Sequence, residues 1–185
     1  VEGAEVHSLH AYFLRAGDVN APIVYDVDIA RDGRTFFNRR VVAIQHGRPI
    51  FNMTASFQIP EQGFNHQVNA PDVPGPEDLP DLNDTPEDVL EMLPEEMRRF
   101  LIRKRPFEMR PVEPISMLLQ EPMAPLRHVW MRTVDPIPDK VELHSNLLAY
   151  ISDYRFVGTA TLPHGMHFER GNVQMASLDH AMWFH

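Results

Sequence analysis

The first candidate for chemistry in this sequence is a carboxylate that closes an apolar-periodic segment. Across residues 139–154, Val141, His144, Leu147 or Leu148, and Ile151 recur at intervals of three and four, the spacing of one helix face, and Asp153 stands at its end. There it meets the negative end of the helix dipole, and burial by Tyr154 and Phe156 would disfavour its charge further. A residue set against local preference is a candidate for function. A carboxylate so placed could take a proton from water attacking a carbonyl carbon. The structural alternative is a helix-end Asp bonded to its own loop.

Ser177, Asp179 and His180 raise a second possibility, a nucleophilic triad. No G-x-S-x-G elbow is present. In one strand Ser177 and Asp179 would share a face while His180 points the other way, which is poor triad geometry. A lone strand serine otherwise satisfies a backbone group. The ten histidines allow metal pairs such as His164 with His167 or His180 with His185, but no H-E-x-x-H or comparable ligand set occurs. No metal is expected. The chain has no cysteine, which removes disulfides, thiolate metal sites and a cysteine nucleophile. Glycine-rich phosphate loops of the dinucleotide and P-loop types are absent.

The 185 residues are 43% apolar and carry a formal charge of -9. That is enough apolar material for one large domain or two small ones. The acidic balance argues against a general nucleic-acid or anionic-membrane surface, since both ligands are gathered by a positive field. Two local basic clusters remain, Arg98, Arg99, Arg103, Lys104 and Arg105, and Arg39 with Arg40. Either could meet a phosphorylated group, or simply be a solvated face. No apolar run approaches the roughly 18 residues of a spanning helix, and no signal pattern opens the chain, so a soluble interior protein is expected.

The elements that would position these residues fall into two halves. Residues 6–58 read as antiparallel strands, with Asp32-Gly33 and His46-Gly47 between apolar runs as hairpin turns. In the last run Phe51, Met53, Ala55 and Phe57 alternate with polar residues, giving one apolar face. That face needs a cover from later in the chain, from a partner, or from residues beyond those given; the last is favoured. Pro71, Pro74, Pro76 and Pro80 mark a linker. Thr85-Pro86-Glu87-Asp88 reads as a helix start with a Thr cap and Pro first, and Pro94 as a break. Two short extended runs follow, 107–113 and 128–133. After the helix of residues 139–154, Pro163-His164-Gly165 marks a loop. Residues 172–184 read as a buried strand with Val173, Met175 and Trp183 on one side. The expected ranges are 1–60 for a first unit, 61–105 for linker and helix, and 106–185 for a second unit.

The early strand His7-Ser8-Leu9-His10-Ala11-Tyr12-Phe13-Leu14-Arg15, followed by Gly17-Asp18, resembles that of the acyl-CoA thioesterase II family. Arg31-Asp32-Gly33-Arg34-Thr35-Phe36, then Arg39 onward to Gln45 and Phe51 onward to Gln58, are similar to the family's next strands in the same order. So are Ser152-Asp153-Tyr154, Pro163-His164-Gly165 and the stretch from Ser177 through Asp179, His180 and Trp183 to His185. The resemblance spans nearly the whole chain and thins across residues 65–84.

The resemblance implies an α+β double hotdog, two tandem antiparallel sheets each wrapping a central helix, incomplete here at both ends. It makes residues 139–154 the central helix of the second hotdog. It implies that Asp153 is the catalytic Asp and that Ser177 holds the family's hydroxyl position, usually Thr. The family's Gln would fall beyond His185. The implied activity is hydrolysis of medium- to long-chain acyl-CoA to free acid and CoA, without a cofactor, by a cytoplasmic homo-oligomer, or a peroxisomal one in a eukaryote. The alternative is a hotdog module that binds acyl-CoA or a partner chain without hydrolysis. A hotdog dehydratase would need a hydratase-type His motif not found here.

Overall fold

In a computed structural model the described residues are 2–93, 95–103, 105–113, 121–154, 156–166 and 174–185. They divide into two compact units, one of Val1–Asn65, Asp139–Tyr154 and Ala176–His185, the other of His66–Pro138 and Arg155–Met175.

The first unit is built on four consecutive antiparallel strands: β1 Glu5–Phe13, β2 Val24–Asp32, β3 Phe36–Gln45 and β4 Arg48–Gln58. Both expected turns are present, each for a local reason. His46 and Gly47 take φ of 48° and 71°, the left-handed pair that matches a two-residue hairpin to the twist of its strands. At Gly33 a Cβ would lie 2.7 Å from the Phe36 carbonyl oxygen, so only glycine fits as its N–H donates to that oxygen. A fifth strand, β7 Asp179–Trp183, joins beside β1, giving the order β2-β3-β4-β1-β7. Its register pairs Leu9 with Met182 and Ala11 with His180.

The Phe51 face is covered in part from within the chain. Helix α3, Val141–Ile151, packs against β1, and Val141, Ser145 and Ala149 look across a cavity at Leu9, Met53 and Phe57. Of the three sources of cover considered, a later segment therefore supplies this portion. Tyr25 and Val27, on the same face in register with Ala43 and Val41, stay exposed.

Buried Gln45 holds the connection between β1 and β2. It is 4% exposed, its Nε2 donates to the Asp18 and Ala21 carbonyls at 2.9 and 2.8 Å, and its Oε1 accepts from the Asp18 amide at 2.8 Å. With these bonds made, burying the amide carries little penalty. Asp18 also pairs with His46 at 3.0 Å. The Asn20 amide and the His46 ring hold its carboxyl below the usual 3.8.

In the second unit, helices α1 Glu87–Glu91 and α2 Glu95–Ile102 precede a hairpin of β5 Phe107–Pro111 with β6 Val129–Thr133. The expected Thr cap is corrected: Pro86 stands at the cap position, and the Thr85 hydroxyl donates to the Leu82 carbonyl of the preceding turn. The break expected at Pro94 lies outside the described residues. Glu108 is gripped by Arg132 and Arg110, which hold its carboxyl below 4.5. After α3 the chain re-enters this unit with α4, Phe156–Thr161.

These units cut across the ranges expected from the sequence. Helix α3 and β7, assigned there to the second hotdog, pack with β1 of the first. Two hotdog units whose sheets join edge to edge would make such a contact, so packing and duplication need not share boundaries. The tandem arrangement is taken up below as a proposal.

Glu113 gives this unit a pH dependence. Burial pushes its carboxyl up, but the backbone amide and ring of His128, at 2.6 Å each, outweigh this and hold it below 4.5. A carboxyl lowered by folding adds stability above its unfolded value, and loses it as pH falls through the folded value. Thermal melts should therefore fall off below pH 4.5, and more shallowly in Glu113→Gln than in the wild type. Equal slopes would remove Glu113 from that acid limb.

Candidate active site

The site forms where α3 ends. Ser152 N still donates to the Leu148 carbonyl at 2.9 Å, so Ser152 completes the helical ladder. The chain then turns, with Tyr154 N donating to the Ile151 carbonyl, and Asp153 projects from that turn. Buried Ile151 anchors the last turn, while Tyr150 and Tyr154 brace each other through their hydroxyls at 2.7 Å. The two expected site residues meet here. Ser177 Oγ donates to Asp153 Oδ2 at 3.0 Å, with Oδ1 at 3.3 Å, and both side chains are half-buried. Phe156, expected to help bury Asp153, is 73% exposed.

The strand expected over residues 172–184 is shorter. β7 begins at Asp179, Ser177 lies two residues before it, and Val173 lies outside the described residues. The strand is also covered on one face only, not buried throughout. His180 and Met182 are half-buried, whereas Trp183 is 66% exposed on the opposite face in register with Ser8. Apolar residues at both 182 and 183 left the choice of face ambiguous in the sequence.

No triad forms from Ser177, Asp179 and His180, which take three different partners. Ser177 bonds Asp153, Asp179 bonds His10 at 3.2 Å, and His180 Nε2 bonds Ser152 Oγ at 3.1 Å. His180 is the neighbour that sequence reasoning missed as part of this site. Its signal was the position three residues after Ser177, which only the β7–β1 pairing turns toward the helix end.

Of the basic residues, Arg39 pairs with Asp32 at 2.6 Å and donates to the Arg31 and Asn38 carbonyls, a structural role. Arg98 and Arg99 are exposed on α2, with Arg99 paired to Glu95. Lys104 and His167 lie outside the described residues.

Beside this site runs a cavity of about 560 Å³ between α3 and the sheet. Leu9, Met53, Ala55 and Phe57 form one wall, and Val141, Ser145 and Ala149 the other. Ala149 is four residues, about one helical turn, before Asp153. The arrangement can hold an extended apolar group along the helix, with a carboxylate and a hydroxyl at the helix end.

An antiparallel sheet with a helix laid against one face is the α+β hotdog arrangement. A solved protein from Alicyclobacillus acidocaldarius, described as a conserved protein of unknown function with a hot dog fold, matches 97% of this chain and 59% of its own, with a TM-score of 0.63 and 20% identity. The fold is a hotdog. Two family models match in sequence, the acyl-CoA thioesterase N-terminal domain over residues 1–58 and acyl-CoA thioesterase over residues 98–185. Acyl-CoA thioesterase 2 of Haemophilus influenzae is 39% identical over 180 residues, 97% of this chain and 63% of that protein. The crystal structure of an acyl-CoA thioesterase II, TesB2, from Mycobacterium marinum is 41% identical with a TM-score of 0.75, covering all of this chain and 63% of that one. The chain belongs to the acyl-CoA thioesterase II family and spans less than two thirds of the length of these two relatives.

Proposed function

We propose that the protein hydrolyses acyl-CoA thioesters to free acid and CoA by direct attack of water, with Asp153 as general base. The observation that carries this reading is the Ser177–Asp153 hydrogen bond at the end of α3. A carboxylate can take the proton of a water as its oxygen forms a bond to the thioester carbonyl carbon. The C–S bond then breaks, and the sulfur of CoA leaves with the proton that Asp153 had taken, which returns the base to its carboxylate form. Ser177 Oγ has one hydrogen and two lone pairs. It can hold the carboxylate between turnovers, then turn that hydrogen to the water or to the developing oxyanion. No cofactor is needed for this chemistry.

The acyl chain is assigned to the cavity along α3, where the apolar sheet wall of Leu9, Met53, Ala55 and Phe57 suits medium to long chains and Glu142, Ser145 and Asn146 add polar groups on the helix side. The tandem hotdog arrangement is part of the same reading, supported by β7 and α3 packing against β1. Self-association is supported by edge strand β2, where Val24, Tyr25, Val27 and Ile29 are exposed. Among the described residues no helix is long and apolar enough to cross a membrane. We place the protein in the cytoplasm, or in the peroxisome if it is eukaryotic.

The test is release of free CoA thiol by the full-length protein from a series of acyl-CoA esters of increasing chain length. The expected result is turnover that rises into the medium-to-long range. Saturable binding of the esters without hydrolysis at any length would make the protein a binding module instead.

A further inference from the structure

Ser152 and Asp153 are consecutive at the end of α3, and each is held by a residue at the start of the strand segment that follows, Ser177 on Asp153 and His180 on Ser152. The Ser152 hydroxyl has a single hydrogen, and the Ala149 carbonyl one turn back lies 3.0 Å from Oγ to receive it. Its Oγ must then accept from the imidazole, so His180 carries its proton on Nε2. A directed chain results, His180 Nε2–H to Ser152 Oγ–H to Ala149 O. Opposite His180 in the sheet stands Ala11, small and buried, which leaves the ring room on the face that carries α3.

We infer that His180 is a positioning residue for the proposed reaction: by tying Ser152 to β7 it sets where the next residue, Asp153, holds its carboxylate. Neither Ser152 nor His180 touches the reacting atoms in this scheme. Both residues joined by this tie, Ser152 and His180, lie within a few positions of the Asp153–Ser177 pair. A loss of the tie therefore moves the base relative to the hydroxyl. This inference rests on Asp153 being the base.

The experiment compares kcat and KM for acyl-CoA hydrolysis in the full-length protein and in its His180→Ala, His180→Gln, Ser152→Ala and doubly substituted Ser152→Ala/His180→Ala variants, with melting curves. His180→Ala is expected to lose about tenfold to a hundredfold in kcat, the scale of a base displaced by about 1 Å, with KM within about twofold. His180→Gln should recover most of that loss, because its carboxamide N–H can reach Ser152 Oγ. The double variant should be no worse than His180→Ala. A purely structural role would lower the melting temperature without this split between kcat and KM. Wild-type kcat in His180→Ala overturns the proposal. So does a His180→Gln variant as impaired as His180→Ala while Ser152→Ala stays active, which would have the imidazole acting on the substrate itself. Asp153→Asn in the same assay separates the two levels: full turnover there removes the base assignment, whereas loss there and none in His180→Ala removes only the role given to His180.

Discussion

Asp153→Asn should lower the turnover of acyl-CoA by about 10² to 10⁴, the usual contribution of a positioned general base, with KM and melting temperature close to wild type. The substitution preserves shape, and the amide oxygen can still accept from Ser177 Oγ. What disappears is the ability to take a proton. The geometry makes this a clean change, since Asp153 stands in the turn after Ile151 rather than inside the helix and, among the described residues, its carboxylate accepts from Ser177 alone. Turnover assays with matched melts check both halves of the expectation. Unchanged turnover would leave the carboxylate a helix-end residue bonded to its loop, the plain structural alternative.

The second large effect is expected at Ser177. Removing one hydroxyl that orients the water or meets the oxyanion costs about 10² to 10³ in kcat where such donors have been removed, so Ser177→Ala should fall in that range. Ser177→Thr should keep most of the activity, because it retains the hydroxyl on the same carbon and Ser177 is half-buried rather than packed tight. Measuring kcat for both variants distinguishes a chemical role from a filling one. If Thr and Ala are equally impaired, the volume at this position matters and the hydroxyl does not.

The parts of the fold that were legible in the sequence are those with local causes. The four-strand meander follows from period-two alternation and from two turns with their own steric reasons, Gly33 against the Phe36 carbonyl and the left-handed pair His46 and Gly47. Helix α3 was visible because its apolar positions repeat at helical spacing, although the ordered helix is trimmed to Val141–Ile151. The contact of β7 with β1 was not legible. It joins residues near opposite ends of the chain, such as Ala11 and His180, and no local pattern encodes a partner at that separation. The same long-range pairing decides which side of β7 turns inward, and so why Trp183 is outside.

The candidate site was half legible. Position at the end of a periodic segment singled out Asp153, while Ser177 came from resemblance to a family, because a serine outside regular structure has no distinguishing spacing. The hydrogen bond between them spans 24 residues of sequence. His180 was weighed only as a triad member or metal ligand and set aside because, read as one continuous strand, it points away from Ser177. The structure starts the strand only at Asp179, and the irregular approach lets Ser177 and His180 both reach the end of α3.

The central claim is that water, with Asp153 taking its proton, attacks the thioester carbonyl directly. A single turnover of acyl-CoA by excess full-length protein in ¹⁸O-enriched water tests it most directly. Direct attack predicts that the fatty acid released in that first turnover carries the label and that the peptide containing Asp153 carries none. Unlabelled fatty acid together with label in that peptide would show that Asp153 had attacked the thioester itself, and would contradict the account.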